Sequence, residues 1–186
     1  MRIILASKSP RRSEILYNLG IDFEIITKDT DETSDITNAE KLTEELAKRK
    51  GKAVVESLAD SSNVLVISCD TVVVNDGKIL GKPKNEEDAI NMLKSLRNKS
   101  HTVISGLCLI YNGKMVISHE KTQVYFANIS DENIKKYVAT KDPMDKAGGY
   151  AVQGVTSLWI EKIDGCYFNV VGFPTRLFCK ILNEIG

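Results

Sequence analysis

Histidine is scarce in this chain, at two residues in 186, and no pair of its four cysteines has a CxxC spacing. Zinc knots and disulfide scaffolds are built from such clusters, so neither is the expected basis of the fold. Cys69, Cys108, Cys166 and Cys179 are scattered, mostly among apolar neighbours, and read as core thiols of a reducing cytoplasm. No apolar run approaches the roughly 20 residues of a membrane helix, and residues 3–6 are far too few for the core of a targeting signal. The expected location is cytoplasmic, with no membrane partner. An excess of charge is missing too: 25 basic and 25 acidic residues cancel, and no Lys/Arg stripe forms. A nucleic-acid polymer needs concentrated positive charge, so it is a poor partner, whereas a small anion in a local basic pocket fits.

What is present is a hydrophobic content of 42%, enough to bury a sizeable core in one domain over residues 1–186. Residues 1–6 read as a strand, followed by a helix to Gly20 with Ser9 as N-cap and Pro10 at its first position. Residues 23–27 read as a strand and 28–37 as an acidic loop. Thr37 and Glu40 form a capping-box pattern for a helix carrying Leu42, Leu46, Val54 and Leu58 on one face. The unbroken Val64-Leu65-Val66-Ile67 suits a strand covered on both faces, with Asp70-Thr71 at its carboxyl end. Asn75-Asp76-Gly77 marks a hairpin, and Asn85 caps a helix with an acidic first turn. Residues 101–111 and 114–128 read as long strands and 157–163 as a further one, with helices from Ser130 and from Pro174 to Ile185. This alternation indicates an α/β fold with a mixed twisted sheet and flanking helices.

Four clusters carry chemistry. The first is Ser7-Lys8-Ser9-Pro10-Arg11-Arg12, where two hydroxyls and two guanidiniums meet the unpaired amides of a helix start, a natural phosphate receptor. The second is Asp70-Thr71 with Gly81-Lys82-Pro83. A strand-end carboxylate can hold a hard cation or take a proton from water, and Lys82 sits in a stiff turn that can aim it at phosphate. The third is the acidic run 29–33, in which Glu32 offers a second carboxylate. By itself such a run is also what a solvated loop looks like. The fourth is the glycine-rich segment 145–154, where the Gln153 carboxamide can read a pyrimidine edge with an N–H beside a carbonyl.

In this order, and nearly from end to end, the segments resemble the Maf family of nucleoside triphosphate pyrophosphatases, also called septum-formation inhibitors. The matching stretches are residues 5–12, Cys69-Asp70-Thr71-Val72-Val73 with 79–83, 101–106, 145–154 and 169–174. The resemblance implies an elongated, two-lobed fold like that of inosine triphosphate pyrophosphatases, with a central cleft. It also implies Mg²⁺- or Mn²⁺-dependent hydrolysis of a nucleoside triphosphate to the monophosphate and pyrophosphate. The Lys146-Ala147-Gly148 to Gln153-Gly154 pattern is similar to the dTTP/UTP branch rather than the 7-methyl-GTP branch. Asp70 matches the family's proton acceptor, and Arg12, Thr71 and Gln153 its substrate-selecting positions. Ser7, Arg11, Glu32, Lys50, Lys82 and Asp145 fall where the family lines its phosphate and metal region. A homodimer is likewise only implied by the family. Cys69, Ala151, Phe173 and Gly51 stand where alanine, glycine, leucine and alanine are usual.

On this reading Asp70 and Glu32 hold the metal, and Arg11, Arg12, Lys50, Lys82 and the helix start with Ser9 steady the phosphates. The rival from another class is a non-catalytic nucleotide-binding regulator of septum formation. A P-loop reading is disfavoured by the missing GxxxxGK[ST] pattern, and a Cys69 nucleophile has no histidine nearby in sequence.

Overall fold

The structure is a computed structural model and describes residues 1–185. A single sheet of seven strands runs through it in the order β2-β1-β3-β5-β6-β7, with β4 attached to β3. β1 (Arg2–Leu5) pairs in parallel with β2 (Glu24–Ile25) and with β3 (Val64–Asn75). β4 (Lys78–Leu80), β5 (Ser100–Tyr111), β6 (Lys114–Phe126) and β7 (Ile160–Asp164) are joined by antiparallel pairings.

The side chains of β3 alternate between two cores. Val64 and Val66 pack with Ala47 and Val54 of α2 (Ala39–Glu56). Leu65 and Ile67 face the other way, onto α1 (Pro10–Asn18) and α6 (Thr175–Ile185). The unbroken apolar run therefore is a strand covered on both faces. At the far ends of β3, β5 and β6, a further core joins Leu93 and Leu96 of α3 (Glu86–Leu96) to Ile134 and Tyr137 of α4 (Asp131–Ala139).

Several boundaries differ from the sequence expectation. The Thr37–Glu40 capping box is not used: α2 starts at Ala39, and the Asn38 carboxamide accepts from the Lys41 N–H at 2.9 Å, an equally good cap one residue later. The strand expected over 23–27 shrinks to two residues. The last strand starts at Ile160 after a 3₁₀ turn (Gly154–Trp159). A short helix, α5 (Tyr167–Val171), lies in a stretch with no predicted element. Cys69 and Cys108 are buried thiols, but Cys166 is only half-buried and Cys179 faces outward from α6, so the core-thiol expectation holds for two of the four.

The correction that matters most concerns β3. It does not stop at Ile67 but continues to Asn75, so Asp70 and Thr71 are mid-strand. β5 holds the strand straight, pairing with it from Leu65↔Tyr111 to Val74↔Thr102. The partner that ends is β1, whose last register pair is Leu5↔Ile67, while β4 joins only at Val73. Residues 68–72 thus have a strand on one side and an open sheet edge on the other.

Near the start of β5, opposite Val124, lies His101, almost fully buried, with Nε2 at 2.6 Å from the Tyr150 hydroxyl and its ring edge-on to Phe126. Its Nδ1 has no partner. Burial pushes its pKa down from 6.5 to about 4. Between those values the unfolded chain takes up a proton that the folded one refuses, so stability falls as pH drops through that window. The expected contribution is about 3 kcal/mol. Urea unfolding at pH 7 and pH 4 should give a steeper loss for the wild type than for His101→Gln. Equal slopes would remove His101 as the cause.

Candidate active site

The open edge of β3 forms the floor of a cleft of about 970 Å³. All eleven side chains singled out from the sequence line it: Ser7, Ser9, Arg11, Arg12, Glu32, Lys50, Asp70, Thr71, Lys82, Asp145 and Gln153. Because strand residues alternate, Asp70 points to the α2 face and Thr71 to the α1 face, and the missing edge partner lets one cavity reach both.

On the α2 face, Lys50 Nζ donates to Asp70 Oδ1 at 2.6 Å and lies 2.9 Å from Glu32 Oε1. The side chains of Lys50 and Asp70 are 19% and 12% exposed, whereas that of Glu32 is 60% exposed. Burial alone would lower the Lys50 pKa; the Asp70 charge and the bonds to Asp70 and Glu32 outweigh it and hold the ammonium above its usual value. Glu32 is held below the usual carboxylate range by its bond to Lys50, with Lys82 and Arg12 adding to the effect. Two close approaches let α2 carry Lys50 this near. A Cβ on Gly106 would come within 2.3 Å of the Thr43 carbonyl, and one on Gly51 within 2.7 Å of Ser68 Oγ. Gly51 in place of alanine thus fits the Ser68 of this chain.

On the α1 face, each nitrogen of the Arg12 guanidinium makes a hydrogen bond. Nε donates to the Gly172 carbonyl at 2.8 Å, Nη1 to Ser7 Oγ at 3.0 Å and Nη2 to Thr71 Oγ1 at 3.1 Å. It therefore ties together the end of β1, the middle of β3 and the turn after α5. Thr71 Oγ1 meets Ser105 Oγ on β5 at 2.8 Å. Ser9 occupies the N-cap position of α1 but makes no side-chain cap; instead its N–H donates to Ser7 Oγ at 3.2 Å. Ser9 is thus the N-cap by position, as expected, with its hydroxyl left out of the cap.

At the far wall, Asp145 Oδ1 accepts from Lys146 Nζ at 2.7 Å, and Arg11 Nη1 stands 3.5 Å from Asp145 Oδ2. Burial would raise the Asp145 pKa, but Lys146 and Arg11 outweigh it and hold the carboxyl below its usual range. Lys82 and Gln153 are exposed on the rim, and Lys82 has no ion-pair partner among the described residues. Ala151, where glycine is usual, has a negative φ, so its Cβ causes no strain there. Cys69 is fully buried with Sγ against the Gly172 carbonyl at 3.4 Å, and burial pushes its thiol pKa up, which argues against a nucleophile.

Seven Lys or Arg side chains line the cleft against four Asp or Glu, a positive excess in a chain of zero net charge. Sequence reasoning missed Lys146, Ser105 and the Gly172 carbonyl. The Lys146-Ala147-Gly148 string was visible, but nothing in it indicates a buried ammonium. Among the described residues, no group of three or more His, Cys, Asp or Glu side chains forms a ready metal cage.

A family profile described as Maf-like protein matches residues 2–185. The chain belongs to the Maf-like family. It is 44% identical to the dTTP/UTP pyrophosphatase of Caldicellulosiruptor bescii over 189 residues, covering 100% of this chain and 95% of that one. The dTTP/UTP pyrophosphatase of Desulforamulus reducens is 46% identical, with 99% and 96% covered. Among solved structures, a HAM1 protein from Coxiella burnetii superposes with a TM-score of 0.54 over 99% of both chains at 14% identity, a likeness of fold.

Arg12→Lys keeps the charge of this Maf-like chain but not the three-way fork. Denaturant unfolding should show a loss of about 1–3 kcal/mol. Wild-type stability in this variant would mean that the fork does not hold the cleft together.

Proposed function

We propose that this chain hydrolyses nucleoside triphosphates, dTTP and UTP foremost, to the monophosphate and pyrophosphate. The observation that carries this reading is the convergence of a buried carboxylate, Asp70, and an excess of cations on one cleft of small-molecule size. The names of the full-length relatives support the same substrates. They do not favour the alternative of a binding-only regulator of septum formation. The reading takes residues 1–186 as one domain around this cleft. The cytoplasmic reading rests on the four free thiols and the homodimer on the family resemblance alone; among the described residues, no helix is long and apolar enough to cross a membrane.

In the mechanism, Arg11, Lys82 and Lys50 bind the anionic tail, and Arg12, fixed by its own contacts, supplies a pre-oriented positive charge beside Thr71. Asp70 takes the proton of the attacking water. Thr71 and Gln153 orient the base, Gln153 through a carboxamide that offers both a donor and an acceptor. Asp145 is held by Lys146 and orients Arg11. The donor set also fits a hard cation: two carboxylates already converge on one positive centre, and Mg²⁺ takes one or two carboxylates with substrate phosphates and water. Asp70 and Glu32 would hold Mg²⁺ or Mn²⁺, which when bound supplies Lewis-acid polarisation of the phosphoryl oxygens.

Asp70→Asn is the direct test. Turnover of UTP and dTTP should fall by about 10²–10⁴-fold, with the circular dichroism spectrum unchanged. A variant that keeps most of its activity would overturn Asp70 as the base.

A further inference from the structure

Lys50 stands where the Asp70–Glu32 pair would receive a divalent ion, with its Nζ 2.6 Å from one carboxylate and 2.9 Å from the other. We propose that Lys50 is a place-holding counter-cation. It neutralises the pair in the nucleotide-free protein, keeps free divalent ions out, and leaves the pair when a triphosphate enters. This rests on the reading of Asp70 and Glu32 as the metal-holding carboxylates.

Three observations support the role. First, Asp70 is nearly buried, and a carboxylate taken out of water needs a compensating charge. Secondly, among the described residues no other cation contacts Asp70. Arg12 spends its guanidinium on Gly172, Ser7 and Thr71, and Lys82 touches neither carboxylate. Thirdly, Lys50 reaches in on a flexible stem from α2, so it can swing to a phosphate oxygen without moving the helix.

An ammonium and a divalent ion repel each other and compete for the same oxygens, so only one of them can fill the pair. Incoming phosphates draw Lys50 away and at the same time bring ligands for the metal. The consequence is positive coupling: the site takes the metal with the nucleotide rather than before it. Lys50 thereby selects the metal–nucleotide complex over the free ion.

The test is Mn²⁺ binding to the full chain, followed by electron paramagnetic resonance, without nucleotide and with a non-hydrolysable α,β-imido analogue of UTP. Without nucleotide, Lys50→Met should bind Mn²⁺ at least about tenfold more tightly than wild type, one contact repulsion having been removed. Lys50→Arg, which keeps the charge, should stay as weak as wild type. Adding Asp70→Asn to Lys50→Met should abolish the gain. The analogue should tighten Mn²⁺ binding more in wild type than in Lys50→Met. Lys50→Gln serves the same comparison if the methionine variant does not fold.

Folded Lys50→Met or Lys50→Gln with wild-type Mn²⁺ affinity would overturn the proposal, as would Lys50→Arg binding as tightly as the neutral variants. Failure of every form to bind Mn²⁺, even with the analogue, would instead remove the metal reading itself and the place-holder with it.

Discussion

The cleft exists because β3 outlasts its parallel partner. β1 stops pairing at Ile67, β4 begins at Val73, and β5 keeps the intervening residues extended along their other edge. In a fully paired sheet, Asp70 and Thr71 would face opposite sides of a solid layer and could not serve one ligand. With the edge open, α2 brings Lys50 to one of them and α1 brings Arg12 to the other. Strand alternation, normally a device for separating two faces, here gathers two kinds of chemistry around one cavity.

Electrostatics follow from the same geometry. The chain is neutral as a whole, but its cleft holds more cations than anions, and the anions it does hold are engaged. Asp70 and Glu32 share Lys50, and Asp145 is held by Lys146. The cations divide into fixed and free. Arg12 is fixed by three bonds and defines shape as much as charge, whereas Lys82 on the rim can follow a ligand.

Much of the fold was legible in the sequence because local chemistry agreed with the tertiary outcome. Asn75-Asp76-Gly77 makes the tight turn expected of it, and Asn112-Gly113 makes another between the two long strands read from the sequence, with positive φ at Asp76, Gly77, Asn112 and Gly113. Val64 to Ile67 is buried on both faces, as an unbroken apolar run requires. What could not be read was anything set by a distant partner. The length of β3 depends on its pairing with β5, and the choice of Asn38 over Thr37 as a cap depends on where α2 lands on the sheet. The site shows the same division. Its members were recognisable from motifs, but the Arg12 fork and the Lys50 bridge join residues 160 and 20 positions apart in the chain. Lys146 and Ser105 were visible only as members of matching stretches, since a lysine in a polar string and a serine in an apolar strand indicate no contact by themselves.

The central claim is that this cleft grips a triphosphate so that water attacks its α-phosphorus and pyrophosphate leaves. Phosphorus NMR of the products formed from UTP with Mg²⁺ tests it most directly. The account predicts UMP and pyrophosphate appearing together from the first turnover. UDP with inorganic phosphate, or unchanged UTP, would contradict it.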